Sequence, residues 1–473
     1  MKILFAAAEA SPFVKVGGLG DVLGGLPKEL FKKGIDARVV LPLYSAINYD
    51  LRQKMEYITN ITVENSWRKS YCGVFCAICD GVKYYFIDNE QYFNRDKVYG
   101  EIDDGERFAF FSRAVLEIIP VIDFIPDIIH ANDWHTALIS VYLNALFRHR
   151  EEFKSIKTVL SIHNIEFQGK FNPYVLGELF GLSEEQKEIL MYDGDINVLK
   201  GGIEASDIVS TVSRKYAEEI STGEHSFGLH NILNARRDKI RGIINGIDTE
   251  VFNPEKDKFI KTNYSAKTLQ NKRFNKTALQ KHMALEEKAD VPLIGMVTRL
   301  TKQKGLELFY DVSDEISKLE IQLVVLGTGE AEFENMMHEW ESKNYDKVRG
   351  AVCFDPKVAS MIYAGADLFL MPSKSEPCGL AQMIAMRYGT IPIVHEVGGL
   401  YDTVTAYNHE TGEGNGVTFK SFNAYDMLDA IKRAIEIYKN KKDWLKIRKN
   451  ALSQDLSWEL SASEYIKMYN ELI

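Results

Sequence analysis

The sequence predicts an α/β protein built on two doubly wound parallel sheets. Three observations carry that expectation. Short apolar, β-branched runs alternate with amphipathic helical stretches, the alternation stops and then restarts beyond the middle of the chain, and the loops after several apolar runs combine glycine with charged residues. Ligands of open α/β sheets bind beyond the carboxyl ends of the strands, so the loops there are where chemistry is to be sought.

In the first series Ile3–Ala8, Ala37–Leu41, Ile128–His130, Thr158–Ile162, Ile208–Val212 and Arg241–Ile244 read as buried parallel strands, with helices such as Val22–Lys33 and Thr136–Phe147 between them. Cys72–Asp80 and Val82–Ile87 read as a hairpin, because Asp80-Gly81 is a two-residue turn signal. The second series has strands at Leu293–Thr298, Leu323–Gly327, Ala351–Phe354, Leu368–Met371 and Ile391–Val394. Its helices are Gly305–Leu319, Ala331–Lys343, Val358–Ala364 and Gly379–Tyr388. Between the series, Asn253–Lys272 is polar and weakly periodic, which marks surface connection. A last helix from about Ser457 to Ile473 offers Leu460, Tyr465, Ile466, Tyr469 and Leu472 for docking.

At roughly 150 residues per domain, 473 residues suggest about three domains, or two larger α/β ones. The formal charge of −10 argues against nucleic acid or an anionic membrane surface as partner, so a bound phosphate must be met by local groups. Met1–Ala8 imitates a secretory leader, but the apolar run stops at Glu9, short of the ~7–15 residues such a core needs. No apolar stretch approaches the ~18–20 residues of a membrane span, and a cytoplasmic protein is expected. Five cysteines, sparse and odd in number, fit a reducing compartment. Cys72, Cys76 and Cys79 have the C-x3-C-x2-C spacing of radical S-adenosylmethionine enzymes. On a strand, however, Cys76 and Cys79 point to opposite faces, so they are read as structural.

Five loops stand out. Lys15-Val-Gly-Gly-Leu-Gly-Asp21 precedes the first helix; its glycines begin too far beyond the first strand for a dinucleotide fingerprint, so it reads as an anion-facing loop in which Gly18 supplies an amide and Lys15 full charge. Arg299 and Lys304 follow the first strand of the second series and precede a helix, against the alternative of a solvated basic cluster. Glu376 ends another strand, and Gly379 lets backbone come close where a helix starts; a simple helix cap is the competing reading. His130-Ala-Asn-Asp133-Trp134-His135 and Ser161-Ile-His163-Asn164 end neighbouring strands and are expected to line a site rather than fill the core. Leu326-Gly-Thr-Gly-Glu330 adds a turn permissive for close backbone approach. Asp193-Gly-Asp195 mimics the D-x-D of metal-dependent transferases but precedes a helical segment, and counts as a helix start.

These motifs, with Asn245-Gly-Ile-Asp248, Ser375-Glu-Pro-Cys-Gly-Leu380 and Gly398-Gly-Leu-Tyr-Asp-Thr403, resemble in order and spacing the bacterial glycogen synthases, from the first residue to the last helix. The resemblance implies a GT-B architecture: an N-terminal domain of residues 1–243 plus 457–473, a nucleotide-sugar domain of 244–456, a deep cleft between them, and a last helix crossing back. It implies transfer of glucose from ADP-glucose to the non-reducing 4-OH of an α-1,4-glucan such as glycogen, with retention of configuration and no metal or other cofactor. By family position Lys15, Arg299, Lys304 and the amides at Gly18 and Gly379 would meet the diphosphate. Glu376, Asp133 and Asn245 would hold glucose hydroxyls. His163 and Asn164 would lie against the sugar, Phe354 would stack on adenine, Asp21 would organise the Lys15 loop or meet the donor, and Cys378 and Leu380 would border the donor pocket.

Two residues depart from the family pattern, Ala381 where Thr is common and Phe167 where Tyr is common, which bears on donor contacts rather than on activity class. The alternatives are a UDP-glucose-dependent retaining relative and a catalytically silent glucan-binding protein; a phosphorylase is disfavoured because no pyridoxal-bearing lysine context is recognisable.

Overall fold

The computed structural model describes residues 1–473, which form two compact units: Met1–Gly246 with Trp458–Ile473, and Ile247–Ser457. No helix is long and apolar enough to cross a membrane.

Unit 1 holds a nine-stranded sheet built from β1 (Lys2–Ala6), β2 (Asp36–Pro42), β3 (Glu56–Asn65), β4 (Arg68–Cys79), β5 (Val82–Asp88), β6 (Ile128–Asn132) and β7 (Lys157–Ile162), and a three-stranded sheet of β8 (Lys170–Phe171), β9 (Met191–Tyr192) and β10 (Asp195–Asn197); the large sheet is completed by β11 (Ile208–Thr211) and β12 (Ile240–Gly242). Its order is β12-β11-β7-β6-β1-β2-β5-β4-β3, parallel except near one edge, where β4 runs antiparallel to both of its neighbours, β5 and β3. The parallel strands are apolar on both faces because helices cover both. Asp80 and Gly81, at φ 50° and 83°, make the tight turn between β4 and β5. Cys72 and Cys76 are buried in β4.

Unit 2 is a six-stranded, wholly parallel sheet of β13 (Leu293–Val297), β14 (Gln322–Leu326), β15 (Val348–Ala351), β16 (Leu368–Met371), β17 (Ile391–His395) and β18 (Val417–Phe419), ordered β15-β14-β13-β16-β17-β18. Each sheet runs outward in both directions from its first strand. In unit 1 the connections diverge between β1 and β6, and in unit 2 between β13 and β16. Such a switch point opens a crevice beyond the carboxyl ends of the two strands.

Several elements differ from the sequence reading. The strand expected at Ala351–Phe354 ends at Ala351, because its apolar run begins at Val348 and Cys353–Phe354 already belong to the following loop. Asp193-Gly194 is the turn of the β9–β10 hairpin (φ 51° and 87°), and the helix start is Asn197, whose side chain caps Lys200 N–H. Asn253–Lys272 is not all surface. Tyr264 is buried with its hydroxyl on Tyr388 O, and Lys272 is buried with its ammonium on the carbonyls of Tyr363 and Ala364 and on Thr390 Oγ1.

The last helix, Trp458–Asn470, packs in unit 1 through Trp458, Ser461, Ala462, Tyr465, Met468 and Tyr469. Leu460 is about half exposed, because the buried stripe runs through Trp458, Ser461, Ala462 and Tyr465 and leaves 459 and 460 on the outer face. Trp458 lies on the helix Gly18–Lys32, where a Cβ on Gly25 would come within 2.1 Å of the indole Nε1. Only glycine lets the two helices meet there.

Candidate active site

Most of the residues singled out in the sequence fall at or beside the two switch points. In unit 1 the loop after β1 begins with Glu9, which is buried. Its Oε2 accepts the N–H groups of Val16 (2.5 Å) and Gly17 (2.9 Å), and its Oε1 accepts the Tyr99 hydroxyl (3.0 Å). Two loop amides expected to face an anion ligand are therefore already held by an internal carboxylate. Gly18 opens the helix, and Lys15 is exposed with its ammonium 2.7 Å from Asp21 Oδ1. A charge-assisted pair one turn into the helix keeps the lysine at the loop's outer edge.

Beyond β6, Asp133 has φ 57° and ψ −178°, a conformation L residues rarely adopt. It is held there from both sides: its N–H donates to Ser161 O (2.8 Å), and its Oδ1 accepts from His163 N (2.7 Å) and Asn164 N (3.5 Å). Burial pushes its carboxyl up to about 7, although these two amides pull it down. His163, after β7, lies with Nε2 2.9 Å from Asn132 Oδ1, and burial lowers its imidazole to about 4, so it is neutral at pH 7. Asn164 turns its Oδ1 back to Glu166 N–H (3.0 Å). Asp133, His163 and Asn164 thus form one interlocked cluster with Asn132. Asn245 lies elsewhere in unit 1, buried, and its Oδ1 has no protein partner, an unmet acceptor of the kind a ligand hydroxyl would satisfy.

His130 does not line this cluster. It is sealed between Tyr469 OH (2.7 Å from Nδ1) and Ser161 Oγ (2.6 Å from Nε2), with its imidazole lowered by burial to about 3. It is a satisfied core histidine joining the last helix to the sheet, contrary to the expectation for its motif, and Trp134 and His135 of that motif are buried too, His135 against the rings of Tyr99 and Phe108.

In unit 2, Lys304 Nζ lies 2.7 Å from Glu376 Oε2, which also accepts Ser373 Oγ–H (2.9 Å). Both ends of the ion pair are largely buried, so removing either would leave the other charge without its partner. The loops that carry them are close because Gly305 (φ 74°) lies against Pro372 O, where a Cβ would sit at 2.0 Å. The helix beginning at Gly398 braces Glu376 from behind: Gly399 N–H donates to Glu376 O (3.1 Å) and Pro377 O (3.2 Å). Arg299 is exposed just beyond β13. The Gly327-Thr328-Gly329 turn approaches this arginine's own loop, with Thr298 N–H on Leu326 O and Leu300 N–H on Thr328 O, rather than leaving room for a ligand.

Gly379 has φ 73°, and the helix expected from it begins two residues later, at Ala381. Cys378 is buried, which argues for packing over nucleophilic chemistry. Leu380 is half-buried at the helix start. Phe354 is exposed on the loop after β15, with an open ring face and no stacking partner. The described residues contain no group of three or more His, Cys, Asp or Glu placed to hold a metal ion. Glu9, Tyr99 and Ser373 complete the two clusters and were not singled out in the sequence, while Asn132 entered only as part of its strand-end motif. Only Glu9, a lone acid directly after an apolar strand, left any signal there.

Two switch-point crevices, each at the head of a doubly wound sheet and each carrying a cation on a strand-end loop, define a two-domain glycosyltransferase of the GT-B class. Residues 2–235 match the starch synthase catalytic domain and residues 279–451 match the glycosyl transferases group 1 domain. The chain belongs to the glycogen and starch synthase family of hexosyltransferases. It is 50% identical over 476 residues to a glycogen synthase of Bacillus cereus and 49% identical over 475 residues to that of Lactobacillus acidophilus, covering 100% of each. Among solved structures it is similar to the catalytic domain of starch synthase IV from Arabidopsis thaliana bound to ADP and acarbose, with TM-score 0.91 and 36% identity over 100% of this chain and 99% of that one. A sucrose-phosphate synthase from Thermosynechococcus elongatus, at TM-score 0.63 and 17% identity over 100% and 98% of the two chains, shares the fold.

Proposed function

We propose that the protein transfers glucose from ADP-glucose to the non-reducing 4-OH of an α-1,4-glucan, retaining anomeric configuration, without a metal ion and in the cytoplasm. The observation that carries this reading is full-length identity of about half to glycogen synthases, joined to a 36% identical structural relative bound to ADP and acarbose.

Departure of ADP builds negative charge on the diphosphate, and charge is best met by groups fixed before the reaction. Lys15, Arg299 and Lys304 are the cations for it, helped by the Gly18 and Gly379 backbone. The Glu376 and Asp21 carboxylates hold two of these lysines in place, so little reorganisation is needed when a diphosphate arrives. Glu376, Asp133 and Asn245 accept from glucose hydroxyls, and His163 and Asn164 lie along the sugar. Leu380 and Cys378 border the donor, and exposed Phe354 is available to the adenine ring.

Retention through a double displacement would need a free carboxylate nucleophile. Glu376 is the nearest candidate, but its Oε2 is occupied by Lys304 and Ser373. Front-face transfer fits better. The C1–O bond to the diphosphate breaks, the acceptor O4 bonds to C1 from the same side, and a diphosphate oxygen takes the O4 proton. Trapping a glucosyl group on residue 376 would refute this route.

Turnover of ADP-glucose and UDP-glucose with a glycogen primer, with and without a chelator, tests the function. Preference for ADP-glucose undiminished by chelator is expected. Preference for UDP-glucose, or glycogen binding with no nucleotide release, would replace it with one of the alternative readings.

A further inference from the structure

Asn132 is buried at the end of β6, and its amide orientation is fixed by its surroundings. Nδ2 donates to Ala6 O (3.0 Å) and His130 O (3.2 Å), two carbonyls that can only accept. A flipped amide would set its oxygen against both. Oδ1 is therefore the atom facing His163, 2.9 Å from Nε2. A carbonyl oxygen only accepts, so Nε2 must carry the imidazole proton. A neutral imidazole has one proton, which leaves Nδ1 with a lone pair. That nitrogen has no protein partner, and the residue is half-buried rather than sealed.

We propose that Asn132 is a positioning residue that fixes the Nε2–H tautomer of His163 and so presents Nδ1 as a hydrogen-bond acceptor for a sugar hydroxyl. An acceptor there admits a hydroxyl and repels a group offering only lone pairs, such as a phosphate or ring oxygen, so it sorts the two ends of a nucleotide sugar. The assignment of a sugar to that nitrogen rests on the proposed function; the tautomer does not.

Three titratable groups face this region. The His130 imidazole is uncharged, the Asp133 carboxyl accepts the backbone N–H of His163, and the Tyr216 hydroxyl accepts the backbone N–H of Ile165. Burial keeps His163 itself neutral at pH 7, consistent with a single-proton ring.

The test uses the full chain labelled with 15N-histidine, the His163 signals being identified by their loss in His163→Gln. At about pH 7 the parent should show a protonated Nε2 and an unprotonated Nδ1. A protonated Nδ1 overturns the proposal without any further variant. Asn132→Ala removes the hydrogen-bond partner of Nε2, so part of the His163 population should move its proton to Nδ1, and kcat/KM should fall at least tenfold while unfolding stays cooperative. An imidazole spectrum in Asn132→Ala identical to the parent's would mark a purely structural role and overturn the positioning assignment. If the parent fails to turn over ADP-glucose, the proposed function falls, while the imidazole spectrum, read without substrate, still decides the tautomer.

Discussion

Asp133→Asn should make the protein more stable and less active. The carboxyl ionises near 3.8 in an unfolded chain and at about 7 in the folded one, because burial disfavours its charge. A folded-state pKa raised above the unfolded value costs an acid stability as pH rises: below about pH 4 both states are protonated, and between about pH 4 and 7 only the unfolded state ionises. At about 1.4 kcal/mol per pH unit the ceiling on that cost is about 4 kcal/mol. The side chain is half-buried and keeps some solvent, so roughly 2 kcal/mol is the expected gain for the uncharged amide. Asparagine retains an oxygen for the His163 and Asn164 amides, so the cluster should hold its shape. Urea unfolding of parent and variant at about pH 4, 5.5, 7 and 8 measures it: the midpoints should coincide at the lowest pH and separate as pH rises, the variant being the more stable. kcat/KM should drop about 10- to 100-fold, the usual cost of losing a charged acceptor. A variant as unstable as the parent at pH 8, or a difference that does not change with pH, would refute the reasoning.

Lys15→Ala and Lys304→Ala should each lower kcat on the order of 10²-fold or more, with the folded state preserved in Lys15→Ala because that lysine is exposed. Lys304→Ala also strips the partner from a largely buried Glu376, so its unfolding midpoint should fall, and Lys304→Ala with Glu376→Gln should recover part of that loss without recovering turnover. Gly25→Ala should destabilise by about 1–3 kcal/mol, as overpacking does, because the new methyl meets Trp458; an unchanged midpoint would show that the last helix shifts freely. Gly399→Ala would set its Cβ 1.9 Å from Cys378 O, and should reduce turnover by displacing the Glu376 loop; wild-type kcat would contradict its bracing role.

The strands behind both crevices were legible because a parallel strand covered on both faces is a near-continuous apolar run, as in β1, β13 and β16. β3 was not, since it lies at the sheet edge and exposes most of its residues, so no apolar run marks it. The same limit explains the last helix: Ser461 and Ala462 are buried by close helix packing, which hydropathy does not rank, whereas Leu460 is apolar yet turned outward. In the clusters, the charged residues announced themselves at strand ends, but their roles toward one another did not. That Glu376 holds Lys304, or that Glu9 occupies the amides at Val16 and Gly17, depends on which loops the sheet order brings together. Nothing in the local sequence of His130 and His163 separates a core histidine from an open one; the difference is made by Tyr469, which lies 339 residues from His130.

That long-range pairing has a consequence for how the protein is made. Unit 1 is interrupted by the whole of unit 2, from Ile247 to Ser457, before Trp458 supplies the helix that closes it. At about 5–20 residues per second, the ribosome takes roughly 10–40 s to cross those residues. For that interval His130 lacks its tyrosine and the groove at Gly25 is open, while unit 2, continuous in sequence, is free to fold first. Nascent unit 1 therefore carries, until its last helix is made, an apolar groove that the finished enzyme never shows.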